Sequence, residues 1–114
     1  MSGVGSMGGM DQEAYVEAVL RVVESIPPGR VMSYGAIAEY VGQGGPRQVG
    51  AVMAMYGGPV PWWRVCRADG TPPLCDTGEA RAEYLREGTP LRGRLDDGVT
   101  RIDMAAALWS PADP

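Results

Sequence analysis

The run Pro61-Trp62-Trp63-Arg64 sets two large aromatic rings side by side, between a turn-forming proline and a guanidinium. Such rings suit stacking on a planar partner far better than transforming it. Indole offers only an N–H donor and cannot become a nucleophile near neutral pH. The chain contains no histidine, so no imidazole can take up or deliver a proton. Its two cysteines, Cys66 and Cys75, lie nine residues apart with no third thiol or histidine to complete a zinc pattern. A thiol reacts as the thiolate, and neither cysteine has a histidine to generate one; a buried, inert sulfur is the ordinary reading of each. No catalytic residue, metal ion or cofactor is expected.

The elements that position this run can be read from caps and periodicity. Asp11 suits an N-cap, and Tyr15, Val16, Val19, Leu20, Val22, Val23 and Ile26 then share one helical face until Pro27-Pro28-Gly29. Val31-Met32 reads as a short extended piece. Ser33 caps a second helix, Tyr34 to Val41, with Ile37, Ala38 and Val41 inward and Gly42 as its stop. After the turn Gly42 to Gly45, Pro46 suits the first position of a third helix reaching about Met55, with Val49, Val52, Met53 and Tyr56 as its apolar set. Two short helices joined by a glycine turn make a helix-turn-helix pattern. Arg47 and Gln48 then occupy the end of the second helix that enters a groove, and Gly50 and Ala51 are small enough for close approach. The amides that Ser33 caps are also placed to meet a phosphate. The Pro61–Arg64 run follows in an irregular segment. If it is extended, the two tryptophans point to opposite faces and one is partly exposed. Val65-Cys66 reads as a short strand ended by Asp69-Gly70. Thr77 caps a helix from Glu79 to Glu87 stopped by Gly88, Asp96-Asp97-Gly98 forms a turn, and Asp103 caps a last helical turn carrying Met104, Leu108 and Trp109.

These elements predict one mainly α domain with short strands, of the winged helix-turn-helix type, over residues 11–110. Residues 1–10, small and flexible in type, precede it, and without a basic start or an apolar run they do not read as a signal peptide. No run approaches the roughly 20 apolar residues of a membrane span. The 114 residues carry a net charge of −4, which argues against a general nucleic-acid binder. The charge is uneven, however. Between Arg30 and Arg67 four arginines face one glutamate, for +3, which leaves −7 on the remainder. One basic segment on an acidic body can dock a phosphate backbone locally.

Taken in order, Pro28-Gly-Arg-Val-Met-Ser-Tyr-Gly-Ala-Ile-Ala38, Pro46-Arg-Gln-Val-Gly-Ala51, Pro61-x-x-Arg-Val65 and Glu87-Gly88 resemble the DNA-binding domain of the O6-alkylguanine-DNA alkyltransferases. The resemblance spans roughly Tyr15 to Gly88. It implies a winged-helix-type fold that binds the minor groove and flips an alkylated guanine into a pocket. Members with a Pro-Cys-His-Arg motif move the alkyl group onto that cysteine. Here Trp62 stands at the acceptor position, which is similar to the alkyltransferase-like proteins, and Trp63 replaces the histidine as well. Gly58 takes the place of an asparagine that many members carry in the preceding loop.

Residue by residue, the resemblance implies that Arg47 enters the base stack and fills the gap left by the flipped nucleotide, with Ser33, Gln48, Gly50, Ala51 and Arg67 also on the DNA. Tyr34 lies near the flipped nucleotide, and Trp62, Trp63, Arg64 and Val65 form the lesion pocket. Trp62 meets the alkyl group or stacks near the base. Trp63 either packs inward in the histidine's place or sits at the rim, and Arg64 either faces the pocket or ties the loop down. The carbonyls of Trp62 and Val65 are acceptors for the guanine amino group. Thr71 to Thr77 aligns with a loop closing over the base, where Cys75, Asp76 and Thr77 compete for the place of a pocket serine. Glu87 matches a supporting glutamate left as a structural remnant. The implied function is a non-enzymatic sensor of O6-alkylguanine in double-stranded DNA, with nucleotide excision repair proteins as partners, monomeric, and cytoplasmic at the nucleoid. The alternatives are a winged-helix transcriptional regulator of undamaged DNA, and a transferase using Cys66 or Cys75.

Overall fold

The computed structural model describes residues 11–73, 78–92 and 101–111. Helix α1, Gln12–Ser25, starts at Asp11, whose Oδ1 accepts the Ala14 N–H at 2.7 Å. It stops at Ile26, before the two prolines, and buries Tyr15, Val19, Val22 and Val23. Strand β1, Met32–Ser33, runs into α2, Tyr34–Val41, where Ser33 Oγ accepts the Ala36 N–H at 3.1 Å. Gly42 ends α2 at φ +86°, a left-handed conformation that costs glycine little. Helix α3, Pro46–Tyr56, opens with Pro46 and a reciprocal cap in which Gln48 Oε1 accepts the Gly45 N–H at 2.9 Å. Strand β2 is Val65–Cys66, α4 is Glu79–Glu87 and α5 is Met104–Ala107.

The two strands pair in parallel, Met32 with Val65 and Ser33 with Cys66. A parallel pair needs a crossover connection, and the α2–α3 unit lies within it. Because side chains alternate along a strand, this small sheet divides the interior into two cores. Met32 and Val65 face a core built from α1, α2 and α3, around Val19, Val23, Ile26, Ile37, Val49 and Val52. Val31 and Cys66 face a second core with Ala80, Tyr84, Ile102 and Ala107, against which Trp62 and Trp63 pack. Each fully buried valine or isoleucine stabilises the fold by about 1.5–3 kcal/mol, so the larger first core is the main support of the helix-turn-helix. The C-terminal segment is clipped beside β1: Val31 N–H donates to Ala107 O at 3.0 Å and Trp109 N–H to Val31 O at 2.8 Å. Arg30 donates to the Ala107 and Leu108 carbonyls from the same side.

The fold is therefore mainly helical with a two-stranded sheet, of the winged helix-turn-helix type. Four local readings change. The Pro61–Arg64 run is not extended: Trp62–Arg64 form a 3-10 turn, and both tryptophans are partly buried. Gly78, at φ +115°, is the N-cap of α4, while Thr77 lies outside the described residues. Asp103 is the N-cap of α5 but caps through its carbonyl, which accepts from the Ala106 and Ala107 amides, and not through its side chain. Tyr56, counted with the apolar set of α3, is exposed. The Asp96–Gly98 turn lies outside the described residues. No described helix is long and apolar enough to cross a membrane.

Candidate nucleic-acid interface

Trp62, Trp63 and Arg64 leave the first core at Val60. The Arg64 N–H donates to Pro61 O at 3.0 Å, and the Val65 N–H donates to the Trp62 carbonyl as the chain enters β2. Glu87, the last residue of α4, is the centre on which this turn is fixed. Its side chain is 3% exposed. It accepts the Trp63 Nε1–H at 3.0 Å, the Arg64 Nε–H at 3.1 and 3.2 Å, the Arg64 Nη2–H at 2.5 Å and the Gly29 N–H at 3.1 Å. Burial pushes the Glu87 carboxyl upward. The hydrogen bonds from Arg64, Gly29 and Trp63, together with the Arg64 charge, outweigh it and hold the group below its ordinary value.

Trp63 thus packs inward, with its ring N–H on the carboxylate and its carbonyl accepting the Tyr84 hydroxyl at 2.7 Å. Arg64 ties the turn down. Its guanidinium grips Glu87, reaches the Ile26 carbonyl from Nη1 at 2.9 Å, and lies 5.5 Å from the centre of the Trp63 ring. Trp62 is different. Its ring meets Trp63 edge-on, with centroids 5.6 Å apart and planes at 85°. Its own N–H has no hydrogen-bond partner among the described residues. Val65 has its side chain wholly in the first core, so it can offer the motif only its main chain.

The other predicted residues lie on the helix-turn-helix and just past β2. Arg47, Gln48 and Ala51 are exposed on α3, and a Cβ added at Gly50 would meet nothing within 4 Å. Gln48 spends its side-chain oxygen on the turn before α3. Tyr34 is partly buried against the first core at the start of α2, beside the capping Ser33. Arg67 is exposed, and its N–H donates to Thr71 O at 3.0 Å across the Asp69-Gly70 turn. Sequence reasoning missed Met55. It is 74% exposed and follows Arg47 and Ala51 at four-residue spacing, so the three residues form one stripe along α3. The spacing was visible in the sequence, but a methionine there reads equally well as core.

Two open clefts lie along α2. One, of about 430 Å³, is lined by Met32, Ala36, Glu39, Tyr40, Leu108, Trp109 and Ser110; the other, of about 710 Å³, follows the α2–α3 turn from Ser33 to Pro46. Neither includes a residue of the Pro61–Val65 motif, and the loop expected to close over Trp62 is described only as far as Pro73.

Cys66 is fully buried, with Sγ 3.9 Å from the Met32 carbonyl and 3.6 Å from Met104 Sδ. Burial, followed by the nearby Asp69 charge, pushes its thiol up to about 12, so at neutral pH it carries its proton and is a poor nucleophile. Cys75 lies outside the described residues. No group of acidic, cysteine or histidine side chains that could hold a metal occurs among the described residues.

Residues 14–88 match the model of the 6-O-methylguanine DNA methyltransferase, DNA binding domain, family. The chain belongs to that family. Within it, the chain is of the alkyltransferase-like kind, as its relatives indicate. It is 33% identical over 104 residues to proteins of Escherichia coli and Shigella flexneri, each named DNA base-flipping protein, over 87% of this chain and 77% of theirs. Among solved structures it is similar to S. pombe Atl1 in complex with damaged DNA containing O6-carboxymethylguanine. That match has a TM-score of 0.78 and 29% identity, and covers 90% of this chain and all of the other. A second structure, of S. pombe ATL in complex with DNA, matches at a TM-score of 0.76 with 30% identity and the same coverage.

Proposed function

We propose that this protein is a non-enzymatic sensor of O6-alkylguanine in double-stranded DNA. The α3 helix enters the minor groove, Arg47 fills the gap in the stack, and the damaged guanine swings out to meet Trp62. The single observation that carries this reading is the state of Trp62: a partly buried residue whose ring N–H has no hydrogen-bond partner among the described residues, at the position where transferases of the family keep their acceptor sulfur. Every base has a flat π face, so one aromatic plate can hold a flipped nucleotide and contribute about 1–3 kcal/mol by stacking. Extrusion costs a few kcal/mol and is offset by that contact together with whatever fills the gap.

The lack of an activated acceptor at Cys66 supports the non-enzymatic part of this reading. An acceptor must be a thiolate, and Cys66 is a buried thiol. Glu87, which would support a histidine, is engaged by Trp63 and Arg64. Recognition without repair requires a further step, and on this reading the monomeric complex marks the site for nucleotide excision repair proteins. The relatives named as base-flipping or solved on damaged DNA support the reading.

The test is a binding titration at matched salt on duplexes that differ only in guanine or O6-methylguanine. Preference for the lesion is expected; equal affinity overturns the reading. Intact-mass spectrometry after incubation with methylated DNA should show no gain on the protein. A stoichiometric gain would place the chain among the transferases.

A further inference from the structure

Trp62 and Trp63 are chain neighbours with unlike anchoring. Trp63 is held at three points: its ring N–H on Glu87 at 3.0 Å, its carbonyl under the Tyr84 hydroxyl at 2.7 Å, and its face 5.5 Å from the Arg64 guanidinium. The groups that hold it are themselves fixed, since Tyr84 is fully buried and Arg64 is tied to both Glu87 and Ile26 O. Trp62 is bonded through its main chain, its N–H to Val60 O at 2.6 Å and its carbonyl from the Val65 N–H, but its ring N–H has no hydrogen-bond partner among the described residues. Its ring meets that of Trp63 in a T-shaped contact, with centroids 5.6 Å apart and planes at 85°. In a 3-10 turn consecutive side chains are about a third of a turn apart, so a ring leaving Trp62 can rotate only where its neighbour leaves space. The indole of Trp63 fills that side.

We infer that Trp63 is a specificity-determining residue: by fixing the plane of Trp62 it limits how large an O6-substituent the site admits. This rests on the lesion-sensor reading given above. A small alkyl group fits against a plate that stays in place. A bulky one needs the plate to turn, and the neighbouring Trp63 ring obstructs that rotation. Trp63 acts through Trp62, so it is a positioning residue and need not touch the DNA.

Trp63→His keeps an N–H donor for Glu87 while replacing the indole packed against Trp62 by a smaller ring. Trp63→Phe keeps a ring edge and removes the N–H. Both variants of the full chain, and the wild type, are titrated with duplexes carrying guanine, O6-methylguanine or O6-benzylguanine. Nitrogen-15 relaxation of the Trp62 indole N–H in the free proteins reports directly on its order. In Trp63→His the benzyl-to-methyl affinity ratio is expected to rise about two- to tenfold, the size of one edge-to-face contact, and the order of the Trp62 ring to fall. Trp63→Phe is expected to move both readouts in the same direction by less. A purely structural role would change overall affinity or melting and leave the ratio alone. An unchanged ratio in both variants, or a Trp62 ring whose order does not move, overturns the inference. Equal wild-type affinity for guanine and O6-methylguanine is a different result and removes the sensor reading itself.

Discussion

Glu87 and Arg47 mark two regions that treat their polar groups in opposite ways. Around Glu87, donors from Gly29, Trp63 and Arg64 converge on one nearly inaccessible carboxylate. At the start of α3, Arg47 is exposed and meets no hydrogen-bond partner among the described residues; beside it Gly50 faces open space. The first region uses hydrogen bonds to hold a turn in one shape. The second leaves its donor unmatched and its surface low. On the proposed function the first region serves folding and the second reads DNA, and substitutions should separate the two.

The largest expected effect breaks the first region. Glu87→Ala leaves the Arg64 guanidinium, 14% exposed, without its counter-charge. Removing one partner of such a pair costs about 3–5 kcal/mol, a large share of the roughly 5–15 kcal/mol that holds a domain folded. Urea unfolding should show the midpoint falling accordingly. The same carboxylate predicts a pH dependence. Its folded-state value lies below the unfolded one, so its contribution is complete above about pH 4.3, the ordinary glutamate value, and is lost as pH falls through the depressed folded value. Glu87→Gln should flatten that part of the stability–pH curve.

Next in size is the second region. Arg47→Ala should cost about 1–2 kcal/mol of lesion affinity, roughly five- to thirtyfold, by leaving the vacated stack unfilled. Its unfolding midpoint should stay within about 0.5 kcal/mol of wild type, as for other exposed positions. A fluorescent flipped-base reporter checks the binding half; an unchanged signal would sever α3 from base extrusion. Ser33→Ala tests the join between the two regions, since Ser33 both pairs with Cys66 and caps α2. Loss of the cap should destabilise by about 1 kcal/mol. Smallest is Met55→Glu. It should leave stability within about 0.5 kcal/mol and reduce DNA affinity about threefold at low salt, less at high salt. If affinity does not change, the Arg47–Ala51–Met55 stripe does not face the duplex.

The two regions also differed in how far the sequence revealed them. The helix-turn-helix was readable because its signals are local: Ser33 before Tyr34, Gly42 after Val41, Pro46 three residues before Val49. Each cap acts within one helical turn, so a short window contains both partners. The cluster around Glu87 joins residues 58, 24 and 23 positions away from it, and no window contains them. Family resemblance pointed to Glu87 but treated it as a remnant, because its usual partner was gone. The structure gives it a new one, as the indole N–H of Trp63 donates to it directly. The 3-10 turn was missed for a related reason. Three residues are too few for a period, and an extended reading was equally consistent with Pro61 and Arg64.

Cys66 has a consequence for a protein of the proposed function. Electrophiles that alkylate guanine also attack sulfur, and they take the ionised form by preference. A detector of such damage must operate while the agent that caused it is still present. With its side chain sealed in the second core and its thiol pushed up to about 12 by burial, this sulfur should survive an exposure that would modify an accessible thiolate, and the detector is not disabled there by the poison whose traces it reads.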